Sequence, residues 1–148
     1  MKPLAVLIVS FIVSLFLVKI FTGIWNFNLS GNIAMSIMLV FTAIGHFVYV
    51  KGMTMMIPNF IPFKTELVLL TGLFELIIPV GLLIHSLQRE ATLFLMVFFV
   101  LIIPANIHAS LKKVNYQKAS YTGSGTGYLW FRIPLQIFFI LWIYYFNK

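Results

Sequence analysis

The chain has 148 residues, 61% of them hydrophobic and only 9% charged, and its mean hydropathy of +1.05 lies far outside the make-up of a soluble domain. Its net charge of +7 comes from basic residues at the ends of apolar segments, a pattern that argues against a nucleic-acid partner and makes the lipid bilayer the surrounding medium. The absence of cysteine excludes disulfides, thiol exchange, iron–sulfur ligation and cysteine-held zinc, so any redox chemistry must rest on a bound cofactor.

A helix needs about 20 mostly apolar residues to cross the hydrocarbon of a bilayer. Five stretches qualify: Leu4 to Phe21, Gly31 to Val50, Glu66 to Ile84, Ala91 to Leu111, and Tyr128 to Phe146. The expected fold is an all-α integral membrane helical bundle. The first stretch carries Lys2 ahead of an apolar run, as a signal peptide does, but no A-x-A-like cleavage site follows, and a retained helix is expected. Loop by loop, Lys2, Lys51, Lys64, Lys112, Lys113 and Lys118 fall on one face and Lys19, Arg89 and Lys148 on the other. That bias places the amino terminus and the second and fourth loops in the cytoplasm. Trp25 with Trp142, Tyr144 and Tyr145 marks one membrane edge, and Tyr49, Tyr128 and Trp130 mark the other.

The two loops of the basic face differ in kind. Gly52 to Phe63 is apolar and methionine-rich around Pro58 and Pro62, which reads as an interfacial connector or as a lid over a lipid-like ligand. Lys112 to Gly127 is polar and ends in Gly123-Ser124-Gly125-Thr126-Gly127; with no strand before it and no Walker lysine after it, it reads as a mobile linker without a ligand. Asn28-Leu29-Ser30 matches a glycosylation sequon but lies too close to the predicted membrane to act as an acceptor.

Inside the spans stand His46, Glu75, Asn106, His108, Arg132 and Gln136. An ionisable group in hydrocarbon costs about 2.5 to 3.5 kcal/mol on insertion scales, so such residues face the bundle interior and mark function. Counting along the helices puts His46, Asn106, His108, Arg132 and Gln136 in one leaflet, with Glu75 about 13 Å in from Glu66 as the floor of a funnel. Arg132 and Gln136 share a helix face, and Thr71, Gly72, Glu75 and Pro79 form one stripe, which predicts a polar seam between the third and fifth spans with Arg132 paired to Glu75 or Glu66. Pro79, Pro104 and Pro134 lie within spans, where each frees a carbonyl. The plain alternative is interhelical glue that fixes register and nothing more. His46 and His108 at similar depth are also the pattern of bis-imidazole haem ligation, but nothing else in the chain points to haem. One deep carboxylate beside two imidazoles makes a poor metal site.

Several of these residues sit in ordered motifs: Gly45-His46-Phe47, the Ile57-Pro58-Asn59-Phe60-Ile61-Pro62 loop, Gly72-Leu73-Phe74-Glu75 with Gly81-Leu82-Leu83, Pro104-Ala105-Asn106-Ile107-His108, and Leu129-Trp130-Phe131-Arg132-Ile133-Pro134-Leu135-Gln136. Together, over about residues 31 to 146, they resemble the DoxX-like family of small bacterial membrane proteins. The resemblance implies a four-helix membrane core over 31–148, with 1–30 an added amino-terminal transmembrane helix and connector. It also implies association with redox complexes or membrane-protein assembly, the founding member being linked to a quinone-reducing thiosulfate oxidoreductase.

Three functions follow as expectations. The first is a protein of the bacterial cytoplasmic membrane, without stand-alone enzyme activity, that binds a quinone or similar lipid-soluble molecule as a subunit of an oxidoreductase. In it Arg132 with His46 or His108 donates to a quinone oxygen and Glu75 relays a proton. The second is a non-catalytic scaffold or assembly factor that docks other membrane-protein subunits. The third is a small proton-coupled transporter, disfavoured by its single deep acid and the lack of a clear inverted repeat.

Overall fold

The computed structural model describes residues 2–148. Seven helices follow one another: α1 (Lys2–Thr22), α2 (Phe27–Val48), the short α3 (Val50–Thr54), α4 (Lys64–Leu83), α5 (Gln88–Leu101), α6 (Ile103–Leu111) and α7 (Thr126–Phe146). Five spans among them are long and apolar enough to cross a membrane, α5 and α6 together making one of 24 residues, Gln88–Leu111. All five predicted stretches are found. The second starts earlier than its apolar run because Asn26 caps it, its side-chain oxygen accepting the Leu29 N–H at 3.0 Å. Asn28 of the sequon therefore lies in the first turn of α2.

The break between α5 and α6 falls at Ile102. Pro104 has no N–H for the carbonyl four residues before it and its ring crowds that carbonyl, so the regular helix is interrupted there. Pro79 and Pro134 are accommodated inside α4 and α7 without a break.

The packing makes a ring. α2 packs on α4 and α7, α4 on α5, and α7 on α5 and α6, while α1 lies outside the ring against α2. Leu7 of α1, Met35 and Leu39 of α2, Leu82 of α4, Leu95 of α5 and Ile143 of α7 meet in one buried apolar cluster. The outward surface is also apolar, with Ile20, Ile77, Leu101 and Leu141 exposed. Since lipid tails are as apolar as these side chains, cohesion must come from close packing and interhelical hydrogen bonds.

At one end of the bundle those bonds are explicit. Asn32 and Asn147 exchange amide hydrogen bonds of 2.9 and 2.8 Å, and the Trp142 indole donates to the Gly31 carbonyl at 3.2 Å. Ser14 of α1 donates to the Ser30 carbonyl at 3.1 Å. Gly31 lies against the Phe146 ring, where a Cβ would overlap it.

The opposite end carries the two long loops. An isolated antiparallel bridge, Asn115 with Ser120, makes a small hairpin. The backbone of Tyr116 lies on Gly52 of α3 so closely that any Cβ there would collide with the Tyr116 carbonyl. The glycine-rich tract, expected to be a mobile linker, is fastened: the Gly123 N–H donates to the Lys113 carbonyl at 2.7 Å, and Ser110 donates to the Gly125 carbonyl at 3.2 Å. Gly125 turns into α7 with φ of 67°, a conformation that favours glycine.

Candidate functional site

The six polar residues of the spans do not form one funnel; they divide into three groups set by the ring. The first joins α2 to α4. Gly72 brings α4 against α2, since a Cβ at that position would stand 2.7 Å from the His46 Cβ. The His46 Nδ1 then lies 3.0 Å from the Val68 carbonyl and 3.1 Å from the Thr71 hydroxyl, which itself donates to the Val68 carbonyl at 2.9 Å. Both neighbours therefore offer acceptors, and this network assigns the proton to Nδ1. Nε2 faces Glu75 Oε1 at 3.5 Å, and a hydrogen bond across that gap needs the one proton the two atoms hold between them. Glu75 is only 5% exposed, and its second oxygen, Oε2, is buried with no hydrogen-bond partner.

The second group joins the α5–α6 span to α7. Arg132 donates through Nη1 to the Asn106 oxygen, Asn106 donates to the Gln136 oxygen at 3.0 Å, and Gln136 donates to the Phe99 carbonyl at 2.8 Å, next to the break that Pro104 makes. Every amide in this chain both gives and receives. The Arg132 guanidinium also lies over two aromatic faces, Tyr128 one helical turn earlier at 5.3 Å and Tyr116 of the hairpin at 5.9 Å. A cavity of about 20 Å³, the size of one water, opens beside it between Ser110, Met56 and Gly125. Burial first, then the neighbouring Tyr128, pushes the Tyr116 phenol above its ordinary value of 10.0, against the opposing pull of Arg132.

His108 forms the third group. Its Nδ1 pairs with the Met56 carbonyl at 3.0 Å, fastening the apolar loop to the end of α6. His46 and His108 thus engage different partners.

The predicted seam between the third and fifth spans is replaced by these contacts. Glu75 is paired with His46 rather than with Arg132, and Arg132 pairs with neutral Asn106 and two aromatic rings rather than with Glu75 or Glu66. The cause is the ring order: α4 packs on α2 and α5, while α7 packs on α2, α5 and α6, so the Glu75 and Arg132 helices lie across the bundle from one another. Among the described residues, His46–Glu75 is the one ion pair, and no three His, Cys, Asp or Glu side chains gather as a metal site would require.

Sequence reasoning missed Tyr116 and the Phe99 carbonyl, because nothing local to either marks a partner on another helix. It also missed an open cleft of about 320 Å³ at the loop end, lined by Lys64, His108, Lys112, Asn59, Tyr121 and Thr54. The basic loop residues were the available signal, but their convergence depends on where α4 starts and α6 ends.

No curated protein and no solved structure matches the chain. Residues 35–147, from within α2 to just past the end of α7, match the family described as Domain of unknown function (DUF8561), and the chain belongs to that family.

Proposed function

We propose that this chain is a DoxX-like protein of the bacterial cytoplasmic membrane, its amino terminus on the cytoplasmic side, that binds a quinone or similar lipid-soluble carbonyl compound as a subunit of a membrane oxidoreductase. The observation that carries the reading is Glu75: a buried carboxyl, half paired with His46, whose Oε2 has no partner. A buried polar atom left unpaired costs about 1 to 3 kcal/mol, so a fold retains one where a ligand or a proton uses it. A carboxyl beside an imidazole whose other nitrogen is already fixed can pass a proton in either direction, which is what the oxygen of a quinone requires on reduction. The residues of this chain bind and supply the proton, and the redox chemistry belongs to the quinone when bound and to a partner subunit.

The test is to purify the full chain in mild detergent and identify co-purifying small molecules by mass spectrometry for the wild type, Glu75→Gln and Arg132→Ala. Retention of a quinone by the wild type and its loss from a folded Glu75→Gln supports the reading. Equal retention by Glu75→Gln, or no lipid-soluble carbonyl compound in any sample, overturns it.

A second reading, a scaffold that docks other membrane proteins, draws on the Arg132–Asn106–Gln136–Phe99 chain, whose amides are all paired and which fixes the α5–α6 span against α7. It expects a stable complex with another membrane subunit and no bound small molecule.

A further inference from the structure

The loop end of the bundle carries a charge imbalance that the fold does not neutralise. Lys51, Lys64, Lys112, Lys113, Lys118 and Arg132 belong to it, against the single carboxylate of Glu66. None of these cations pairs with a carboxylate, since the one ion pair among the described residues is His46–Glu75. Two of them converge on one space. α6 packs on α7, and between the start of α4 and the end of α6 opens the cleft of about 320 Å³. Lys64 stands on one wall and Lys112 and His108 on the other, and no lining residue is acidic.

Two of the donors there, Lys64 and His108, are held in place. Asn59 accepts from Lys64 Nζ at 2.8 Å, which fixes the ammonium and leaves it two further N–H groups. The Met56 carbonyl at His108 Nδ1 leaves Nε2 as the ring atom without a protein partner. The 20-residue helix α4 begins at Lys64 with no side chain capping its first turn, and Glu66 in that turn offsets its positive end, so the cationic field of the cleft rests on the lysines. The cleft has the volume of a small-molecule site, about 300 Å³ upward, and stands level with the ends of two apolar spans. Phe60 and Phe63, on the loop that borders it, are exposed at 84% and 74%, an apolar rim beside a cationic floor.

We infer that this cleft is a binding site for a phosphate-bearing anion, held by Lys64 and Lys112 with His108 and Tyr121 as further hydrogen-bonding partners. The phosphate comes either from the headgroup of an anionic lipid, whose acyl chains lie along Phe60 and Phe63, or from a soluble phosphate ester. The site is separate from Glu75 and stands or falls independently of the quinone reading.

The full chain in neutral detergent is titrated with phosphatidic acid and with phosphatidylcholine, and bound lipid is counted by native mass spectrometry. Phosphatidic acid is expected to bind at least about tenfold more tightly, and Lys64→Gln/Lys112→Gln to lose about that factor, while Lys118→Gln and Glu75→Gln keep wild-type affinity. Displacement of phosphatidic acid by glycerol 3-phosphate identifies a soluble ester as a sufficient ligand; failure to displace it identifies the lipid. Equal binding of the two lipids together with no binding of glycerol 3-phosphate, or wild-type affinity in the double lysine variant, overturns the inference.

Discussion

Replacing either partner of the His46–Glu75 pair removes the same contact, yet the two replacements should differ sharply in cost. In His46→Leu the carboxyl of Glu75, only 5% exposed, loses its one partner, and both of its oxygens are left unpaired in an apolar interior. Breaking a buried pair in this way costs about 3 to 5 kcal/mol, because the remaining charge is stranded. The Val68 carbonyl and Thr71 lose little, since they still bond one another. In Glu75→Gln the shape is kept, His46 Nδ1 still faces Val68 and Thr71, and the new amide can donate to the bare Nε2. What is lost is the charge-assisted part of one interhelical contact, for which measured membrane values average about 0.6 kcal/mol. Glu75→Gln should therefore lie within about 1 kcal/mol of the wild type, and the double variant His46→Leu/Glu75→Gln should be more stable than His46→Leu alone, because an unpaired amide costs only about 1 to 3 kcal/mol. Reversible unfolding in mixed detergent micelles, followed by tryptophan fluorescence and helical circular dichroism, gives all four corners of the cycle. If Glu75→Gln proves as destabilising as His46→Leu, or the double variant is worse than both, the stranded-carboxylate reasoning is wrong.

Gly72→Ala places a Cβ 2.7 Å from the His46 Cβ, where neither helix can yield without separating, so a loss of about 1 to 3 kcal/mol and a shift of the His46 ring nitrogen resonances are expected in the same micelles. Gly52→Ala drives a methyl into the Tyr116 carbonyl and should lift the hairpin, read as faster tryptic cleavage at Lys112, Lys113 and Lys118 with the spans intact; unchanged cleavage counts against the packing described. Burial holds the Tyr116 phenol above its ordinary value, so its contribution to folding is complete below about pH 10 and is lost as the pH rises through the folded-state value. Ultraviolet titration should show a tyrosine step above the ordinary phenol range that vanishes in Tyr116→Phe, and the variant should resist alkaline unfolding better than the wild type.

The spans were legible because hydropathy over about 20 residues is a long signal and the bilayer leaves the backbone little choice. The start of α2 at Phe27 rather than Gly31 turned on one side chain, Asn26, which an apolar window does not weigh. The polar residues were equally legible as residues, and counting along each helix placed them near one end of the bundle. Their partners were not, because rise along a helix fixes depth and says nothing about which helix stands beside which. The opposite charges of Arg132 and Glu75 suggest a pair, but α7 and α4 occupy opposite positions in the ring, and what brings Glu75 to His46 is the absent side chain of Gly72.

That arrangement has a consequence for how charge is distributed. The deep carboxylate is taken up by His46, so it cannot serve as the counter-ion of Arg132 or of the loop lysines. Arg132 instead spreads its charge over Tyr116, Tyr128 and Asn106, all neutral, and the lysines around the cleft have only Glu66 nearby in sequence. A protonatable pair with a free oxygen in the interior and uncompensated cations at the loop end are thus two sides of one choice of pairing. Moving Glu75 into reach of Arg132 would neutralise the guanidinium and leave His46 without its carboxylate. The ring order forbids that exchange, so the pairing of Glu75 with His46 and the excess of cations at the loop end are fixed together by the placement of α4 and α7 on opposite sides of the ring.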